Sequence, residues 1–67
     1  MDNRVMSEEK EFYSRLKTNL EKDLAALFIR YHVEVNPVNR TKIHHIIRRL
    51  ESVVDEIEDH LKPYWEV

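Results

Sequence analysis

The sequence contains neither glycine nor cysteine among its 67 residues. Lack of glycine argues against tight β-hairpin turns and against phosphate-cradling loops, both of which need its backbone freedom. Lack of cysteine excludes disulfides and thiolate metal sites, so an intracellular, cytoplasmic protein is expected. No segment approaches the roughly 18 apolar residues of a membrane span, and the start of the chain has no apolar signal core. The expected partners therefore do not include a membrane.

What the sequence does contain is charge, at 36% of residues, and apolar residues at helical spacing. A chain of this length makes one small domain, predicted here to span residues 1–67. Such a chain buries only about 60% of the surface that it exposes when unfolded, so its stability is marginal without a disulfide, a structural metal or a partner. An all-α protein with two long helices is predicted.

The first helix is predicted from about residue 7 to residue 31. Ser7 is a suitable cap, and Glu8, Glu9 and Glu11 would complement the positive end of the helix dipole in the first turn. Its apolar residues form a wide stripe along one face. They are Phe12, Tyr13, Leu16, Leu20, Leu24, Leu27, Phe28 and Tyr31.

A connection over residues 32–36 is predicted next, because polar and apolar residues alternate there and Pro37 disfavours a helical conformation at the preceding position. A very short strand is an alternative there. The second helix is predicted from about 37–40 to 62, with Asn36 as its cap and Pro63 as its end. An aromatic tail, residues 63–67, would either cover the open end of the hairpin or form an exposed hook for another protein.

The second helix has the clearest apolar pattern. Written as heptads with Ile43 at position a, it fills positions a, d and e, which is wider than a two-stranded seam needs. Two helices of similar length and a short connection predict an antiparallel hairpin that dimerises into a four-helix bundle. The predicted dimer or partner interface comprises Leu16, Leu20, Leu27, Ile43, Ile46, Ile47, Leu50, Val53, Val54, Ile57 and Leu61.

Charge is distributed unevenly along the chain. Residues 30–49 carry five cations and one acid, net +4, whereas residues 50–67 carry one cation and six acids, net −5. In an antiparallel dimer centred near Val53, Arg49 of one chain would approach Glu56 of the other. Alternatively, these are solvated charges with ordinary local pairs such as Arg48–Glu51 and Glu58–Lys62.

The positive segment also offers a candidate surface for an anion or a partner. Phosphates could bind near the start of the second helix, although the acidic pI of about 6.1 and the lack of aromatic residues within the basic run argue against a dedicated nucleic-acid domain. The residues of this candidate surface are Arg40, Lys42, His44, His45, Arg48 and Arg49.

Catalytic and metal sites are not expected. His44 and His45 are adjacent and point to different helix faces, and Glu56 with His60 supplies only two candidate ligands, too few for a zinc site. His60 is expected to be a partly buried histidine beside the apolar stripe. No catalytic residue and no cofactor is predicted. The sequence favours a non-enzymatic helical interaction protein that self-associates and binds a larger protein; a nucleic-acid-associated regulator is the alternative.

Overall fold

A connection of three residues joins two long helices and folds the chain back on itself. The computed structural model describes the backbone of residues 3–65 and the side chains of residues 8–65. Helix α1 spans Asn3–Val33 and helix α2 spans Pro37–Trp65. The start of α2 packs beside the end of α1, so the helices are antiparallel. The predicted all-α helical hairpin is confirmed, and residues 3–65 contain no strand, including at 32–36.

The start of α2 is capped as the sequence predicts. The side-chain oxygen of Asn36 accepts hydrogen bonds from the backbone N–H groups of Val38 at 2.9 Å and Asn39 at 3.4 Å. Pro37 occupies the first helical position, where its missing N–H costs no helical hydrogen bond. Upstream, the Glu34 carboxylate accepts a hydrogen bond from the Asn36 N–H at 3.1 Å, which fixes the short connection.

The start of α1 differs from the prediction. The helix begins at Asn3 and not near residue 7, and its first turn contains no acidic residue. No proline or glycine stands between Asn3 and Val33, so no residue of this segment is a strong helix breaker. The side chain of Ser7, the predicted cap, lies outside the described residues. At its other end α1 extends to Val33, which shortens the connection to residues 34–36.

The predicted end of α2 at Lys62 is also wrong. Pro63 lies within the helix, which continues to Trp65. A proline removes one backbone hydrogen bond but does not prevent the last few residues from keeping helical geometry. Residues 63–65 therefore do not form a separate tail. They are the last turn of α2, and this turn places Tyr64 beside α1.

The two helices meet along a narrow seam. Its buried residues are Leu24 on α1 and Ile47, Val54, Ile57 and Leu61 on α2. The heptad assignment explains this arrangement, because positions a and e of α2 face α1 while the d residues Ile46 and Val53 stay exposed. The apolar stripe predicted for α1 is likewise too wide, since Phe12 and Phe28 are exposed. A single partner helix covers only one seam of each apolar face.

Candidate interaction surfaces

The eleven apolar residues predicted as an interface separate into three groups. Four are buried within the hairpin, and five are half-buried along its edge: Leu16, Leu20, Leu27, Ile43 and Leu50. The remaining two, Ile46 and Val53, are 49% and 38% exposed. The single hairpin thus buries only part of the predicted interface.

The exposed and half-buried residues lie together on one side of the hairpin. Leu27, Ile43 and Ile46 line one cavity between the helices, beside Arg30 and Lys42. Leu50 and Val53 follow Ile43 and Ile46 at heptad spacing and continue the same surface along α2. We call the set of Leu20, Leu27, Ile43, Ile46, Leu50 and Val53 the open flank. It is an apolar strip that the hairpin covers only in part, since Ile46 and Val53 are exposed and the other four residues are half-buried.

Arg49 and Glu56, the predicted charge pair, are both exposed on α2. They lie one heptad apart, which is about 10.5 Å along a helix with a rise of 1.5 Å per residue. Neither residue belongs to an ion pair within the described part of the chain, residues 8–65. Both charges therefore remain available beside the open flank.

The local pairs proposed as an alternative are not formed. The ion pairs among the described side chains are Glu11–Arg15, one helical turn apart on α1, and Lys17–Glu58, which joins the two helices with Nζ and Oε1 3.5 Å apart. Glu58 therefore pairs with Lys17 and not with Lys62. No arginine or lysine of the positive segment 30–49 takes part in an ion pair with another described residue.

The folded hairpin places aromatic rings beside cations of the positive segment, although these residues are not neighbours in the sequence. The guanidinium Cζ of Arg40 lies over the Tyr31 ring, 4.6 Å from its centroid. The centroids of the His44 and His32 rings lie 6.1 Å and 5.8 Å from that of Tyr31. His45 continues the row at 6.3 Å from His44. We call Tyr31, His32, Arg40, His44 and His45 the basic-aromatic cluster.

This cluster lies on the side of the hairpin opposite the open flank. Tyr31, Arg40 and His44 line a shallow cavity with a volume of 310 Å³, together with Pro37 and Thr41. The cavity beside the open flank has different walls, formed by residues such as Leu27, Lys42 and Ile46. Sequence reasoning missed the role of Tyr31, because it is nine residues before Arg40 and joins the cluster only through the chain reversal.

The other end of the hairpin is held by polar and aromatic contacts. The Tyr64 hydroxyl donates a hydrogen bond to the Glu9 carboxylate at 3.1 Å, and partial burial together with this bond raises the pKa of Tyr64 above its ordinary value. His60 is exposed, contrary to the expectation of partial burial, and stacks on Tyr13 with ring centroids 4.8 Å apart. Trp65 remains 53% exposed, with the Lys17 ammonium 5.4 Å from its ring centroid.

These contacts separate the two alternatives for the aromatic end. Tyr64 packs against α1, as the covering alternative predicts, whereas Trp65 keeps about half of its surface in solvent. Among residues 3–65, neither helix contains a stretch long and apolar enough to cross a membrane. Within the same part of the chain, no group of three or more histidine and acidic side chains could hold a metal ion.

Comparison with known proteins gives no family assignment. The chain matches no known protein family, and neither a curated protein nor a solved structure is significantly similar to it. The two exposed surfaces, the open flank and the basic-aromatic cluster, are therefore the features that bear on its function.

Proposed function

We propose that this protein is a non-enzymatic helical interaction protein of the cytoplasm that forms a homodimer through the open flank and binds a larger protein partner. The observation that carries the proposal is the exposure of Ile46 and Val53 beside half-buried Ile43 and Leu50. Apolar residues at regular heptad spacing on a solvent-facing strip are typical of an interface between helices. The small core of the single chain gives a second reason for association.

We expect an antiparallel four-helix bundle. A two-fold axis near Val53 would place the Val53 side chains of the two chains against each other and would set Ile46 of one chain opposite His60 of the other. The same axis sets the positive segment of each chain, net +4, beside the negative segment of the other, net −5. Apolar burial supplies the affinity of this dimer, while charge selects its antiparallel orientation.

Sedimentation of Val53→Lys tests the dimer. Val53 is exposed in the hairpin, so the single chain tolerates a lysine there, but the dimer would bury two opposed ammonium groups. The wild-type protein should sediment as a dimer at micromolar concentration and the variant as a helical monomer. Val33→Lys is the matched control, because Val33 is 71% exposed and lies outside the open flank. A wild-type monomer, or equal dissociation of both variants, would contradict the proposal.

Nucleic-acid binding is the second candidate function. The packing of Arg40 on Tyr31 favours it, because it supplies an aromatic residue beside the basic ones, although the pI of about 6.1 remains unusual for a dedicated nucleic-acid domain. The basic residues in the first half of α2 are all exposed, namely Arg40, Lys42, His44, His45, Arg48 and Arg49. The dimer described above would leave the basic-aromatic cluster uncovered, since the cluster and the open flank are on opposite sides. Both functions can therefore coexist in one protein.

A further inference from the structure

We infer that the basic-aromatic cluster binds single-stranded nucleic acid, with cations on the phosphates and Arg40 and the histidine rings stacking on the bases. The inference rests on the second candidate function and names the class of nucleic acid that it would take. It does not depend on the dimer, because the cluster contains no residue of the open flank.

The geometry of Arg40 is the first argument. Its guanidinium Cζ lies 4.6 Å from the centroid of the Tyr31 ring, and Tyr31 is half-buried where α1 ends and α2 begins. The cation–π contact favours this position of the guanidinium. Arg40 is nevertheless exposed, so a base can reach it, and guanidinium groups and aromatic rings are the surfaces on which proteins stack unpaired bases.

The row of rings is the second argument. The ring centroids of His32, Tyr31, His44 and His45 follow one another at 5.8, 6.1 and 6.3 Å with interplanar angles of 73°, 40° and 56°, so this end of the hairpin offers several separate ring faces and not one continuous stack. The cavity of 310 Å³ lined by Tyr31, Arg40 and His44 is at the lower limit of the ~300–1,000 Å³ usual for small-molecule sites. The cavity is shallow, so a flat ligand such as a single base suits it better than a bulky one.

The charge of the surrounding segment is the third argument. Arg40 and Arg48 form no ion pair with any other described residue, and neither belongs to the open flank or to the Arg49–Glu56 pair proposed for the dimer. Unpaired cations attract phosphates and release the counterions that these had condensed, which contributes binding free energy that weakens with salt. An acidic peptide would satisfy the cations but would leave the aromatic row without a partner.

The width of the surface argues against reading of a duplex by the whole cluster. Tyr31 and His32 come from α1, whereas Arg40, His44 and His45 come from α2, so a ligand that covers the cluster contacts both helices. The pair of helices is 15 Å across, measured between Cα atoms, and side chains widen it further. The major groove of B-DNA is about 12 Å wide and admits one helix. In addition, the bases of a duplex are already stacked on each other.

Fluorescence anisotropy with the full chain tests the inference. The probes are a labelled single strand of mixed sequence, about 20 nucleotides long to cover a site of ordinary size, the duplex of the same sequence, and a labelled polyglutamate peptide. At low salt the single strand should bind at least about tenfold more tightly than the duplex or the peptide, and its affinity should decrease as salt is raised.

Two substitutions assign this binding to the cluster. Arg40→Glu should weaken it by at least about tenfold and reduce its salt dependence, and His44→Ala should weaken it by about fivefold or more through loss of one stacking ring. The charge-matched control is Lys22→Glu, which changes an exposed residue on α1 far from the cluster and should have little effect. Circular dichroism verifies that each variant remains helical.

Several outcomes would overturn the inference. They are no measurable binding of the single strand at low salt, tighter binding of the duplex or the peptide, and equal losses in Arg40→Glu and Lys22→Glu. The Val53→Lys variant separates this inference from the dimer. If the dimer proposal fails and the inference holds, wild type and Val53→Lys both remain monomeric and both bind the single strand.

Discussion

The hydroxyl of Tyr64 donates a hydrogen bond to the Glu9 carboxylate across the open end of the hairpin, with the two oxygens 3.1 Å apart. The two residues are separated by 55 positions in the sequence. This bond links the last turn of α2 to α1. The helical turn that follows Pro63 is therefore stabilised by a contact with the other helix. Its energetic role depends on the protonation state of the phenol.

Stability should therefore fall with rising pH as Tyr64 ionises. Partial burial and the Glu9 carboxylate raise its pKa, so the folded state holds the phenol proton more tightly than the unfolded state does. This contribution to stability is complete below the unfolded pKa and disappears as pH rises through the higher pKa of the folded state. Tyr64→Phe should lower the melting temperature at neutral pH, and the difference from wild type should shrink at alkaline pH.

Ultraviolet absorbance provides a direct measurement of this titration. The component of the tyrosine titration with the raised pKa should disappear in Tyr64→Phe, and Glu9→Gln should lower that pKa. Glu8→Gln is the matched control, since Glu8 is an exposed neighbour and is not the acceptor of the Tyr64 bond. An identical tyrosine titration in wild type and Glu9→Gln would show that the bond does not form in solution.

Two adjacent isoleucines should respond differently to truncation. Ile47 is 3% exposed and lies in the seam, so Ile47→Ala should lower the free energy of unfolding by about 2–5 kcal/mol. Ile46 is 49% exposed, so Ile46→Ala should change the stability of the dilute monomer by only about 0.5 kcal/mol. The same Ile46 variant should weaken the dimer several-fold. Denaturant unfolding at two protein concentrations separates these effects, and equal losses at both positions would contradict the assigned seam.

Charge reversal tests the orientation of the dimer. Arg49→Glu should weaken dimerisation by about 1–2 kcal/mol over two symmetric contacts, because each new carboxylate faces Glu56 of the other chain. Adding Glu56→Arg should restore most of the affinity with the charges exchanged. Arg48→Glu makes the same change of charge one residue away and should weaken the dimer less. Sedimentation equilibrium measures the three constants, and a double variant no tighter than Arg49→Glu would exclude this pairing.

The Asn36 cap should contribute measurably to stability. Asn36→Ala removes the acceptor of two backbone N–H groups at the start of α2 and should cost about 0.5–2 kcal/mol. Asn36→Asp should keep most of the stability, because a carboxylate accepts the same bonds and suits the helix dipole. Asn39→Ala is the control, since Asn39 contributes its backbone N–H to the cap and alanine retains that group. Thermal unfolding should rank Asn36→Ala as the least stable of the three.

Local chemistry allowed much of the fold to be predicted from sequence. The apolar spacing of α2, the Asn36–Pro37 start and the absence of glycine all act within a few residues, and together they predicted two helices and a short connection. The helix ends were less predictable. Pro63 is a strong local stop signal, but the last turn of α2 continues past it and makes a contact with Glu9 that is invisible in the sequence.

The sequence by itself determined which residues are apolar and at what period they recur, because side-chain chemistry and helical geometry need no further information. It could not determine which residues of that wide apolar face are buried in the hairpin and which are exposed. Only the packing of α1 against α2 placed Ile47 and Leu61 inside and left Ile46 and Val53 in solvent. Likewise, the basic run is visible in the sequence, whereas its aromatic partner is not. Tyr31 meets Arg40 because the chain reverses between them, and a contact made by chain reversal is a property of the tertiary structure.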